Sequence, residues 1–143
     1  MRVRGRALFL AVIGVSCGVS GGGSSAQGRT TVCDLARHPQ MYRSQRVEVS
    51  GEFRGGLDRL LLSDRSCPNR PVALSISNDV AKQPDVAPLW SAIYREGSIG
   101  TVGKHISATV RGTYRYERRE WPGGVLSVEG VRDLQVRRSP QGS

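Results

Sequence analysis

The stretch R-V-E-V-S-G-E-F, residues 46–53, puts Val47, Val49, Gly51 and Phe53 on one face and Arg46, Glu48, Ser50 and Glu52 on the other. Strict alternation of this kind marks a strand with one face on a core and the other in water. It constrains the chain strongly, because one half-buried strand needs neighbours that alternate as well. Four further segments do. Residues 57–63 turn Leu60 and Leu62 inward after a Gly55-Gly56 turn, and Val72, Leu74 and Ile76 alternate with Ala73, Ser75 and Ser77. Residues 106–116 align Ile106, Ala108, Val110, Gly112, Tyr114 and Tyr116 on one face. The last segment carries Leu126 and Val128; its phase slips near Gly130, where Val131 is apolar out of turn, so a bulge or bend is expected there.

Helical spacing breaks this pattern twice. From Cys33 to about Tyr42, Leu35 and Met41 supply apolar positions, and Asp34 is placed to cap or favour a helix start. His38 precedes Pro39, which disfavours helical geometry and predicts a break. After the third strand, Asp85 is a candidate cap, Pro88 fits a first turn, and Val86, Leu89/Trp90 and Ile93/Tyr94 follow helical spacing up to Gly97. Trp90 and Tyr94 are read as plugging the end of a barrel rather than facing a ligand. Five strands with one helix after the third predict a mainly β, five-stranded OB-fold Greek-key barrel behind a short N-terminal helix. Gly51 and Gly112 fall where such strands must bend sharply. The domain is placed at residues 27–137, followed by a disordered tail over residues 138–143.

The start of the chain reads differently. M-R-V-R-G-R carries three arginines and no acid, residues 7–19 are apolar, and small residues follow to Ser24, Ser25 and Ala26. This is the layout of a secretory signal peptide over residues 1–26, cleaved after Ala26. The apolar run is shorter than the roughly 20 residues of a membrane span. Lipidation at Cys17 is the alternative: Ser16 suits the position before a lipidated cysteine, but Gly14 does not suit the one three before it. Cys17 is therefore read as leaving with the signal. The remainder, periplasmic or secreted, keeps Cys33 and Cys67, and disulfides persist in such compartments. Neither cysteine sits in C-x-x-C spacing, and His38 and His105 are not arranged with them as ligands, so a Cys33–Cys67 bridge is expected and a metal site is not.

The pattern V-C-D-L-x(3)-P-x(2)-Y-x(3)-R-V-x-V-x-G, Val32 to Gly51, and T-V-R-G-T-Y from Thr109 to Tyr114 resemble small secreted bacterial OB-fold proteins of unknown function. Those proteins are in turn similar to OB domains of the tRNA-anticodon-binding type. The resemblance covers nearly all of the chain after the signal and implies a fold, with no site residues to carry over. One departure is visible: a glycine often stands two residues after the tyrosine, where this chain has Ser44.

Without the three arginines of the signal, 18 basic residues face 12 acidic ones, a net charge of +6. A basic surface favours anionic partners, though arginine supplies 19 of the 21 basic residues, an excess that genome composition also produces. The most suggestive segment is Y-R-Y-E-R-R-E-W, residues 114–121, where Arg115, Arg118 and Arg119 interleave with Tyr114, Tyr116 and Trp121. The loop between the first two strands adds Arg54 and Arg59. In OB-folds these two loops flank the ligand face, and single-stranded nucleic acid is held there by cations and aromatic stacking. Against nucleic acid, Tyr114 and Tyr116 fall in phase with the core. The outward positions Arg59, Leu61, Ala73, Ser75 and Ser77 include no aromatic residue.

The carboxylates Glu48, Glu52, Asp58, Asp64, Asp79 and Glu129 are scattered, and no nucleophile motif adjoins His38 or His105. The expectation is a binding or interaction module of the bacterial envelope, without cofactor or catalysis, whose partner is a protein or a polyanionic envelope ligand. Single-stranded nucleic acid or another polyanion at the Arg/aromatic hairpin is one alternative, and a metal-dependent hydrolase is the other.

Overall fold

The computed structural model describes residues 29–55, 59–95, 98–99, 101, 103–118 and 122–138. The signal segment, Arg119, Trp121, Gly97 and residues 139–143 lie outside the described residues.

A two-residue strand, β1 (Thr30–Thr31), leads into helix α1 (Val32–Arg37). Thr31, not Asp34, is the cap. Its hydroxyl accepts the Asp34 N–H at 3.0 Å while the Asp34 carboxylate accepts the Thr31 N–H at 3.0 Å, a reciprocal capping box. The helix ends at His38, as Pro39 predicts. Val32 and Leu35 are fully buried, whereas Met41, expected on the apolar face, lies beyond the helix and is exposed.

Strands β2 (Arg46–Gly55), β3 (Leu60–Ser63) and β4 (Val72–Ser75) follow. Then come helices α2 (Asn78–Ala81) and α3 (Ala87–Ile93), the small hairpin β5 (Tyr94–Arg95) and β6 (Ser98–Ile99), and the long strands β7 (Lys104–Tyr116) and β8 (Gly124–Arg138). The sheet order is β1-β2-β3-β4-β8-β7, and β7 pairs back onto β2. With β1 set aside, five strands close into a barrel with α3 between the third and fourth, the OB arrangement. β4 and β8 run parallel at the seam, Leu74 opposite Leu126.

The inside is filled by the alternating residues. Val49, Leu62, Val110 and Leu126 are fully buried, with Phe53, Val72 and Ile106 at 3% exposure or less. Val86, Leu89 and Ile93 from the helical interval join the same core, each burial contributing roughly 1.5–3 kcal/mol. Gly51 and Gly112 stand where backbones crowd. A Cβ on Gly51 would lie 2.8 Å from the Ser63 carbonyl oxygen, and one on Gly112 would strike the Ser127 carbonyl.

Several expectations are corrected. Ile76 and Ser77 lie past the end of β4, and Ser77 caps α2, a helix with too few apolar positions to show a period. Ala73, expected outside, is buried, while Leu74 is only partly so. Asp85 does not cap α3, whose N-cap is Val86; its carboxylate instead accepts the Val131 N–H at 3.3 Å, tying the helical interval to β8. Trp90 packs partly on the core, but Tyr94 stacks on it from outside at 5.2 Å between ring centroids and is exposed, so Leu89 and Ile93 form the plug. The bulge predicted near Gly130 falls at Glu129. A second, unforeseen one lies opposite Ala108, where Asp133 takes a positive φ of 55°. Arg138, expected to open the tail, still pairs with Lys104 in β8.

Ser44, where the resembling proteins often carry glycine, has φ of 61°, and its N–H donates to the Tyr114 carbonyl at 2.8 Å. Left-handed backbone costs an L-residue about 1–2 kcal/mol, part of which glycine returns as unfolded-chain entropy. Ser44→Gly is therefore expected to stabilise the protein by about 0.5 kcal/mol, read as a higher urea midpoint at unchanged slope. Cys33 and Cys67 are bridged with Cα atoms 5.8 Å apart, fastening α1 to the loop between β3 and β4. Residues 27–143 are expected to show no free thiol in denaturant before reduction and two after it. Replacing both cysteines by serine is expected to cost about 3–4 kcal/mol in urea unfolding.

Candidate functional site

Alternation decides which arginines reach the surface. Phe53 and Tyr114 point inward, so their neighbours Arg54 and Arg115 point out. Register then places those two arginines on one line. Arg54 lies opposite Leu61, Leu61 opposite Ala73, Ala73 opposite Val125, and Val125 opposite Arg115. The row crosses four strand spacings, about 19 Å along the sheet, with an apolar middle and a cation at each end. Arg118 extends the basic end into the hairpin turn, and Arg59 is exposed just ahead of β3. Among the described residues Arg54, Arg115 and Arg118 make no ion pair.

The adjoining outward row behaves differently. Ser75, Ser127, Thr113 and Arg46 follow in register, and Arg46 is neutralised by Glu129 at 2.7 Å, whose other oxygen accepts the Thr113 hydroxyl at 2.7 Å. Glu48 is likewise paired with Arg132, and Glu52 with Arg65 at 2.6 Å. Glu48, Glu52 and Glu129 are thus each engaged by an arginine. Asp64 accepts the Ser66 N–H at 2.7 Å in its own loop, and Asp58 lies outside the described residues.

The aromatic half of the hairpin is turned inward. Tyr114 is buried, its hydroxyl donating to the Leu35 carbonyl at 3.3 Å, and Tyr116 is half-buried. Trp121 lies outside the described residues. Trp90 and Tyr94 sit on the helical interval, away from the row in sequence and pairing.

A second concavity was not foreseen. Outside the ends of β2, β7 and β8 lies a cleft of about 570 Å³ lined by Arg54, Arg65, Lys104, His105, Arg137 and Glu52. Phe53 and Ile106 face each other inward, so Arg54 and His105, the next residues on their strands, face out. His105 is opposite Arg137. Arg54 alone had been singled out; the rest depended on register.

Comparison with known proteins adds a likeness of fold. No protein-family model matches the sequence, and curated proteins give no match. The fold is similar to part of the asparaginyl-tRNA synthetase from Pyrococcus horikoshii, with a TM-score of 0.47 and 16% identity over 79% of this chain. The chain spans 24% of the length of that protein.

The environment of these groups sets a pH window. The Thr31 backbone bond lowers the pKa of Asp34, the Arg132 bond that of Glu48, and the Thr113 bond followed by that of Arg46 that of Glu129. A lowered carboxylate contributes stability that is present above its unfolded value, about 4, and lost as pH falls through the folded one. Burial, with a smaller contribution from Tyr116, pushes the Tyr114 phenol up to about 12. Its contribution is complete below the unfolded value of about 10 and lost as pH rises from there toward 12. Urea unfolding is expected to show stability falling below about pH 4 and above about pH 10. In an ultraviolet titration, the phenol step near pH 12 should vanish in Tyr114→Phe.

Proposed function

We propose that the protein is an exported OB-fold binding module of the bacterial envelope, related to the small secreted OB-fold proteins that its sequence resembles. Its contact face is the outer surface of β3, β4 and β8. The observation that carries this is the row Arg54–Leu61–Ala73–Val125–Arg115, cations at both ends of an apolar strip. A polyanion lying along it meets positive charge at each end and at Arg118.

Export is supported by the composition of residues 1–26 and by the Cys33–Cys67 bridge, which suits an oxidising compartment. Among the described residues no helix is long and apolar enough to cross a membrane.

Single-stranded nucleic acid is the weaker occupant. Stacking on aromatic faces supplies much of the affinity for bases, and the row offers none, while Tyr114 is committed to the core. An acidic polysaccharide needs only the charges. Binding of a fluorescent sulfated polysaccharide and of a dT20 single strand should be measured against salt, with residues 27–143. The polysaccharide is expected to bind at least as tightly as dT20. Arg54→Glu with Arg115→Glu should weaken it tenfold or more, with the log–log salt slope falling by about one per arginine. Affinity within twofold of the parent would overturn this face.

A further inference from the structure

We propose that the cleft at the ends of β2, β7 and β8 is a separate pocket for a single tetrahedral oxyanion, a phosphate or sulfate group, held by Arg54, His105 and Arg137. The pocket shares Arg54 with the proposed contact face but needs no polymer lying there.

Three observations converge on it. The first is size: about 570 Å³ lies within the range of small-molecule sites, roughly 300–1,000 Å³. The second is an imbalance of charge across strands. Elsewhere on the barrel basic residues meet acids, as in Arg46 with Glu129 and Arg132 with Glu48. Here the ladder sets His105 opposite Arg137 and Lys104 opposite Arg138, base against base twice in succession. Like charges placed directly opposite each other disfavour the pairing, as with Lys104 opposite Arg138; within the cleft, Arg54, Lys104 and Arg137 face no acid among the described residues other than Glu52.

The third is availability. Glu52, the one acid among the described residues lining the cleft, is already held by Arg65 through both Nε at 2.8 Å and Nη2 at 2.6 Å. Lys104 donates to the Ala92 carbonyl at 2.9 Å at the end of α3, and Arg137 makes one long contact, 3.3 Å, to Gln135. Arg54 and His105 make no hydrogen bond or ion pair with another described side chain. Arg54, His105 and Arg137 stand on three paired strands and not on a loop tip, so the spacing of their backbones is fixed before a ligand arrives. An arginine fork matches the oxygens of such a group in pairs.

Side-chain NMR of residues 27–143 tests this with sodium phosphate, sodium sulfate and sodium chloride at one ionic strength. Phosphate or sulfate is expected to give saturable shifts at the His105 ring and the Arg54 and Arg137 Nε–H groups, with chloride giving none that saturate. His105→Asn with Arg137→Gln should weaken the anion at least tenfold while the far-ultraviolet spectrum stays that of the parent. Arg115→Glu, which removes the polysaccharide contact, should leave anion binding unchanged. Equal responses to all three salts, or spread over every exposed arginine, would overturn the pocket, as would unchanged affinity in the double variant. Loss of the anion in the double variant with polysaccharide binding intact supports the pocket as distinct from the contact face; weakened polysaccharide binding with the anion retained in Arg115→Glu separates the two.

Discussion

Eight paired residues of β2 and β7, from Arg46 opposite Thr113 to Phe53 opposite Ile106, close the sheet upon itself, and everything else in the molecule depends on that closure. A sheet bent so tightly leaves little room between backbones. The chain meets this with glycine at the two points of closest approach, where any side chain would run into the main chain or side chain of the adjacent strand. The interior that remains is filled by aliphatic residues, Phe53 and Tyr114, so ligand chemistry is confined to the outer surface and the ends.

That surface divides into two regimes. Along the middle of the barrel outward charges of β2 and β8 cancel in pairs, and such exposed pairs contribute little to stability individually. At the margins, near Arg54, Arg115 and Arg137, the cancellation stops. The contrast matters more than the total charge, because a chain so rich in arginine carries positive surface in any fold.

The strands were legible because each has one wet face and one dry face. Val47, Val49 and Phe53, and Ile106, Ala108, Val110 and Tyr114, are buried as the alternation requires, with Thr109 the outward residue that is buried as well. The short elements were not legible. α2 is one turn held by the Ser77 hydroxyl, and β5 and β6 are too short to alternate. Asp85 has the chemistry of a cap but finds the Val131 N–H across the barrel, a choice made by tertiary packing.

Of the site, Arg54 and Arg115 were visible as loop-flanking cations, but their alignment was not, and the cleft was hidden altogether. Each bulge in β8 advances the pairing by one residue. An uninterrupted ladder from Tyr116 opposite Gly124 would put Gln135, not Arg137, across from His105. Counting residues along the chain cannot supply those two steps, because only one of them left a trace in the apolar pattern.

The double role of β8 carries a consequence for how the barrel comes into being. It is the sole strand that joins β4 on one side and β7 on the other, and it is also the final strand in chain order. A nascent polypeptide released from its N-terminus has no complete enclosure to form until this segment emerges. Before then, the first three strands of the barrel hold an open edge with its amides unsatisfied. Assembly is governed by distant partners, the slow kind.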